Sequence, residues 1–164
     1  MSFLLGLTGS IGMGKSTTAA MFVDEGCDLW DADAAVHRLY GPGGAAVAPI
    51  GDLVPDAVTD GAVSRDVLRV AISANPGLLQ QIEHIVHPLV GQDRATFMKT
   101  ARADILVFDI PLLFETGGDV RMDAVACVTI PADEQRARVL ARGTMTEDQF
   151  NAIRDKQMPN EEKC

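Results

Sequence analysis

The stretch Gly9-Ser10-Ile11-Gly12-Met13-Gly14-Lys15-Ser16 constrains this chain more than any other. It fits G-x-x-x-x-G-K-[ST], a loop that wraps phosphate in backbone amides. Its flanks agree. Phe3-Leu4-Leu5-Gly6-Leu7 is an apolar run that reads as a buried strand, and Ser16 to Glu25 reads as a helix with Ala19, Ala20, Phe22 and Val23 at its apolar positions. A strand, a glycine loop and a helix start bring successive N–H groups and the positive end of a helix dipole to one anion. Glycines at 9, 12 and 14 let the backbone approach closely. The segment Gly12, Met13, Gly14, Lys15, Ser16 and Thr17 is therefore the candidate nucleotide site. Lys15 is placed to reach the β and γ phosphates, and the Ser16 hydroxyl to ligate Mg²⁺.

The rest of the chain bounds what such a loop serves. Its 164 residues suit one domain with inserted parts, and 47% hydrophobic residues suffice for a core. A net charge of −9 argues against a general nucleic-acid or anionic-membrane binder. Cys27, Cys127 and Cys164 are far apart and form no C-x-x-C pair, so neither a disulfide framework nor a cysteine zinc site is expected. A reducing cytoplasmic setting fits best. The first residues lack a basic signal-peptide region, and no run approaches the ~20 apolar residues of a membrane span.

Further along, Cys27 to Asp31 reads as a second strand and Ala34 to Tyr40 as a short helix, broken by Gly41-Pro42-Gly43-Gly44. Residues 45–63 carry turn signals at Pro49, Pro55-Asp56 and Asp60-Gly61. Ser64 is a plausible N-cap for a helix through Ile72, and Asn75-Pro76 a second helix start. Leu79, Ile82, Val86 and Leu89 then repeat at helical spacing, with Pro88 expected to kink or interrupt. Ile105 to Asp109 and Ala124 to Ile130 are apolar strands; Asp133 to Arg142 is helical, stopped at Gly143; Thr146 with Gln149 predicts a capping box, and Pro159 the end of that helix. Strands alternating with helices indicate an α/β fold of three layers around a parallel sheet. The predicted organisation is a nucleotide-binding core at 1–35 and 101–135, a mostly helical insertion at 36–100, to which the resemblance given below assigns the acceptor, a lid at 136–157 and a tail at 158–164.

Several side chains are candidates for chemistry. Asp109 ends an apolar strand, where a carboxylate meets the metal, commonly through water; the same position also suits a turn or helix cap. Asp31 and Asp33 stand where the second strand opens onto the crevice of an open α/β sheet. Asp33 is the candidate to orient and deprotonate a hydroxyl nucleophile, with helix capping as its alternative. Glu83 and His87 are spaced i, i+4, but no third histidine or cysteine pattern completes a zinc site. Residues 136–163 hold Arg136, Arg138, Arg142, Arg154, Lys156 and Lys163. They suit a solvated face balanced by Glu147, Asp148 and Asp155. They suit better a mobile lid that brings guanidinium groups onto transferring phosphates.

On these residues the chain resembles the dephospho-CoA kinase family. The resemblance rests on Gly6 to Thr17, on Asp31-Ala32-Asp33, on Asp60-Gly61 followed by Arg65, and on Ile85-Val86-His87-Pro88. It rests most specifically on Asp109-Ile110-Pro111-Leu112-Leu113-Phe114-Glu115, and then on Arg142, Arg154, Gln157, Met158, Pro159 and Lys163. It implies ATP- and Mg²⁺-dependent phosphorylation of the ribose 3′-hydroxyl of dephospho-CoA. It also implies Asp33, Lys15 and Arg142 as catalytic residues, Asp33, His37, His87, Leu113 and Glu115 at the acceptor, and Ser16 and Asp109 at the metal. The run Arg142-Gly143-Thr144-Met145 is one residue shorter than the family's Arg-Asx-Gly run. The family pattern continues past Lys163 with a further strand and helix, so the resemblance implies, in addition to the four strands at 3–7, 28–31, 105–109 and 124–130, a fifth beside the fourth, which is expected to be missing from the sequence as given. Two rivals remain: a small-metabolite kinase with another acceptor, and a nucleotide-binding regulator, for which no switch loop or water-positioning residue is evident.

Overall fold

Apolar runs too long to alternate must be buried on both faces, and the chain places them in the middle of a parallel sheet. A computed structural model describes residues 1–163, leaving aside the side chains at 160 and 161. In chain order the elements are β1 (Phe3–Thr8), α1 (Lys15–Asp24), β2 (Asp28–Asp31), α2 (Ala32–Tyr40), α3 (Val47–Leu53), β3 (Val58–Thr59), β4 (Ala62–Val63), α4 (Arg65–Ala74), α5 (Gly77–Thr100), β5 (Ile105–Asp109), β6 (Ala124–Cys127), α6 (Ala132–Ala141), α7 (Glu147–Arg154) and α8 (Asn160–Lys163). They divide into two units: residues 1–31 with 101 onward, and residues 32–100.

The first unit holds a four-stranded parallel sheet in the order β2-β5-β1-β6. Leu5 and Leu7 of β1, Leu29 of β2, Val107 of β5 and Ala126 of β6 share one face, and α1 covers it with Ala19 and Phe22. On the other face Trp30 and Phe108 pack with ring centroids 6.1 Å apart. Leu113 fills the space beside Gly6, where a Cβ would lie 2.7 Å from its Cδ2. In this register Asp31 pairs with Asp109 and Leu7 with Asp109 on its other side, so both carboxylates and the start of the glycine loop share the carboxyl edge of the sheet. Ligands of open α/β sheets bind along that edge.

The second unit has its own core of Leu39, Ile50, Val63, Leu68, Ile82 and Val86. Ser64 caps α4, its hydroxyl accepting the Val67 N–H at 3.4 Å. Asp60 and Gly61, with φ of 51° and 76°, close the β3–β4 hairpin. Positive φ at both central residues is what a two-residue hairpin turn demands, and Asp-Gly supplies it.

Three expectations need correction. Helix α5 runs unbroken through Pro88, which the sequence reading took as a kink or interruption. Pro88 and His84 are exposed, so water can satisfy the His84 carbonyl that lacks a donor. The buried stripe of α5 starts at Leu78, not Leu79, whose side chain is 45% exposed. Strand β6 stops at Cys127 rather than Ile130: the Val128 N–H still donates to the Thr8 carbonyl of β1 at 2.9 Å, but the Ile130 N–H donates to the Met13 sulfur at 3.1 Å. The hairpin strands β3 and β4, two residues each, are too short to show as alternation.

Candidate active site

The glycine loop owes its path to two residues in the left-handed region. Gly12 has φ of 76° and Gly14, at the N-cap of α1, has φ of 93°. At Gly12 a Cβ would also lie 2.4 Å from Val139 Cγ2, so any larger residue collides with α6. Met13 turns its side chain inward and is buried, which leaves its backbone to the loop. Ser16 and Thr17 are exposed in the first turn of α1. That turn carries no acidic residue, so nothing within it offsets the positive end of the helix dipole.

Lys15 forms an ion pair and hydrogen bond with Asp109. Only 4% of the Asp109 side chain is exposed, and a buried carboxylate requires such a partner. A cavity of about 350 Å³ is lined by Ser16, Asp31 and Asp109 together with Ala19, Ala20 and Leu29. One hydroxyl and two carboxylates make a set of hard oxygen donors that suits Mg²⁺. Among the described residues no three His, Cys, Asp or Glu side chains cluster as a metal cage, and Mg²⁺ at nucleotide sites takes most of its ligands from phosphates and water. Asp31, weighed jointly with Asp33 in the sequence, is the one that lines this cavity. Asp33 is exposed in the first turn of α2, in the other unit. His37 on α2 and His87 on α5 are also exposed.

The basic segment folds as α6 and α7. The capping box forms as predicted, with Thr146 Oγ1 accepting the Gln149 N–H and Gln149 Oε1 accepting the Thr146 N–H. Arg136 of α6 pairs with Glu147 of α7 at 2.5 Å. Arg154 pairs with Asp155 at 2.9 Å. Arg138 pairs loosely with Glu134, and its guanidinium lies 3.7 Å from where Gly14 would carry a Cβ. It is therefore the arginine that lies against the phosphate loop. Arg142 ends α6 and is exposed, next to Gly143 at φ of 64°.

A second cavity of about 820 Å³ adjoins the loop, lined among others by Ser10, Met13, Ile130, Gln157, Met158 and Pro159. Its wall beyond α7 is anchored by Glu115. Glu115 Oε1 accepts the Met158 N–H at 2.9 Å and pairs with Lys163 Nζ at 2.8 Å. Burial pushes the Glu115 carboxyl up, but the Lys163 ammonium and the backbone N–H groups outweigh it and hold the carboxyl below its ordinary value. Leu113 is fully buried. Of the residues that the resemblance assigns to the acceptor, these two thus serve packing and anchoring with their side chains, whereas Asp33, His37 and His87 are open to solvent. Sequence reasoning missed Gln135, a polar residue only 4% exposed on α6. No local pattern marks it, because its partner lies 124 residues away.

Comparisons with known proteins bear on the family and the fold. Residues 3–164 match the family CoaE, dephospho-CoA kinase. A dephospho-CoA kinase of Ruegeria pomeroyi is 73% identical over 164 residues, 100% of this chain and 83% of that one. One from Cereibacter sphaeroides is 61% identical over 161 residues, 98% of this chain and 82% of the relative. The crystal structure of TT1252 from Thermus thermophilus superposes with a TM-score of 0.87 at 33% identity, covering 99% of this chain and 83% of that chain. A dephospho-CoA kinase from Campylobacter jejuni, at 20% identity and a TM-score of 0.68, covers 99% of this chain and 84% of its own and speaks to the fold. No helix among the described residues is long and apolar enough to cross a membrane. With a glycine loop, a strand-end carboxylate and a family match that runs from residue 3 to residue 164, the chain belongs to the dephospho-CoA kinase family.

Proposed function

We propose that the protein transfers the γ-phosphoryl group of ATP to the ribose 3′-hydroxyl of dephospho-CoA, with the roles divided as follows. Lys15 leaves Asp109 for the β and γ phosphates when nucleotide enters, and the amides from Gly12 to Thr17 cradle those phosphates. Ser16 and Asp109, with Asp31 beside them, would hold Mg²⁺, which would supply charge neutralisation for the transferring phosphate. The base and ribose of ATP occupy the larger cavity next to the loop. Asp33 aligns the acceptor hydroxyl and takes its proton as the phosphorus–oxygen bond to that hydroxyl forms and the bond to the β-phosphate oxygen breaks. His37 and His87, exposed on α2 and α5, contact the acceptor. The segment 136–157 closes as a lid and brings Arg142 to the transferring group. The three widely separated cysteines, with no C-x-x-C pair among them, and the net charge of −9 support a reducing cytoplasm and small-molecule partners rather than nucleic acid.

The observation that carries this reading is the grouping of Lys15, Ser16, Asp31 and Asp109 at one edge of the sheet, beside a loop of glycines with positive φ. The sharpest test of the acceptor side is Asp33→Asn. Turnover should fall by roughly 10²–10⁴, the usual worth of acid–base assistance. Calorimetric ATP affinity should change little, and stability should stay within about 1 kcal/mol, the worth of an exposed negative charge in the first turn of a helix. A loss of turnover no larger than the loss of folded protein would make Asp33 a structural residue of the first turn of α2.

A further inference from the structure

Two glutamines from outside the phosphate loop hold two consecutive peptides within it. Gln157, beyond the end of α7, accepts the Ile11 N–H on Oε1 at 3.1 Å. Gln135 of α6 donates from Nε2 to the Ile11 carbonyl at 2.7 Å. These are different peptide planes. The first belongs to the Ser10–Ile11 peptide, whose carbonyl accepts the Met13 N–H at 3.3 Å and closes the turn. The second belongs to the Ile11–Gly12 peptide. A trans peptide sends its N–H opposite to its C=O. A carbonyl drawn toward Gln135 therefore turns the Gly12 N–H away from α6, at the residue where the chain enters the left-handed region. The Ile11 N–H is already taken by Gln157, so the phosphate cradle starts at Gly12.

Neither contact is casual. Gln135 is 4% exposed, a buried amide that needs partners to repay its desolvation. Gln157 precedes Met158, whose N–H is fixed by Glu115. The place of the Gln157 amide is thus set by an anchor on the β5–β6 connection, and Gln157 and Gln135 both line the larger cavity beside the loop.

We propose that Gln135 and Gln157 are positioning residues for nucleotide binding: each fixes one peptide of the phosphate loop, so that the amides from Gly12 onward are aimed before ATP arrives. Gln157 also ties the loop to the segment after α7. The proposal rests on the reading of this loop as the ATP phosphate site.

The two contacts have opposite polarity, and that provides the test. A glutamate at 157 still accepts the Ile11 N–H; a glutamate at 135 sets an acceptor against the Ile11 carbonyl. In the full chain, ADP affinity by calorimetry and the KM values for ATP and dephospho-CoA are measured for Gln157→Met, Gln157→Glu, Gln135→Met and Gln135→Glu. Loss of either hydrogen bond should weaken ADP binding and raise the KM for ATP about tenfold, a typical worth of one such bond. The KM for dephospho-CoA should move less than about twofold by the same reckoning. Gln157→Glu should lie nearer wild type than Gln157→Met, while Gln135→Glu should be no better than Gln135→Met. Equal behaviour of the two glutamates, or unchanged ADP affinity in folded variants, would overturn the proposal. A second measurement needs no nucleotide and suits variants that are only marginally stable. The Ile11 amide in the free protein should exchange about tenfold faster in Gln157→Met than in wild type, with the Leu7 amide unchanged, as expected for a local loss of protection. Unchanged Ile11 exchange would overturn the clamp itself. A wild-type chain that protects Ile11 yet binds no ADP would overturn the nucleotide reading, and the positioning role with it.

Discussion

Two ammonium–carboxylate pairs join residues far apart in the sequence of the first unit. Lys15 meets Asp109 beside the phosphate loop, and Lys163 meets Glu115 below the segment that follows α7. By burial they look alike: side-chain exposures are 18% and 4% in the first pair, 0% and 18% in the second. Their surroundings differ. The first pair borders the glycine loop, and Asp109 lines a cavity with Ser16 and Asp31. Under the proposed function each member exchanges its partner, Lys15 for a phosphate and Asp109 for Mg²⁺. The second pair borders neither cavity, and Glu115 holds the Met158 backbone as well. A buried ion pair by itself is weak evidence for either stability or function. The presence of a ligand-sized space beside it decides which to expect.

The comparison breaks most visibly at Lys15. Lys15→Ala should lower turnover by roughly 10³–10⁵, the worth of a cation on the transferring phosphoryl group. Because the buried Asp109 loses that ammonium, some stability should go with it, so turnover is compared per folded protein. Near-normal turnover in a folded Lys15→Ala protein would put both pairs in the structural class.

Glu115→Gln is the converse. It keeps an acceptor for the Met158 N–H but leaves the fully buried Lys163 without its counter-charge, which should cost about 3–5 kcal/mol of stability. Replacing both, as Glu115→Gln with Lys163→Met, should recover most of that loss. The pH dependence follows from the lowered carboxyl of Glu115. Because its folded value lies below the ordinary one, its contribution is present above about pH 4.3, the unfolded value, and is lost as the pH falls through the folded value. The gap in melting temperature between wild type and Glu115→Gln should therefore close in acid. A gap that stays constant down to full protonation would remove the charge from the explanation.

The smallest effect concerns the lid. ATP should slow amide exchange across 136–157, where Arg136–Glu147 and Arg154–Asp155 are exposed pairs that a phosphate can displace. Unchanged exchange there would leave α6 and α7 as static wall.

The difference between the two pairs also explains what could be read from the sequence. The phosphate loop is legible because its chemistry is local: Gly12 and Gly14 sit at positive φ where the motif places them, and Lys15 follows at once. Asp109 is legible as the end of an apolar strand. The capping box from Thr146 to Gln149 lies within four residues and appears as expected. The Glu115–Lys163 anchor and the contacts of Gln135 and Gln157 to Ile11 join residues far apart in sequence, and no periodicity encodes them. The stop of β6 at Cys127 belongs to the same class, since a methionine sulfur from the loop takes the Ile130 N–H. Leu113 and Glu115 lie in the most family-specific segment and read as acceptor contacts. In the structure Leu113 is fully buried and Glu115 accepts the Met158 N–H, contacts that the segment's sequence does not show.

The central claim is that the site beside Lys15 and Asp109 transfers phosphate to one acceptor. Its most direct measurement is ATP turnover by the full chain with and without dephospho-CoA, the product being analysed by phosphorus NMR. The account predicts that ADP formation depends on dephospho-CoA and yields one new phosphomonoester, on the ribose 3′-oxygen. ADP formation at the same rate without the acceptor, or phosphate at another position, would contradict it.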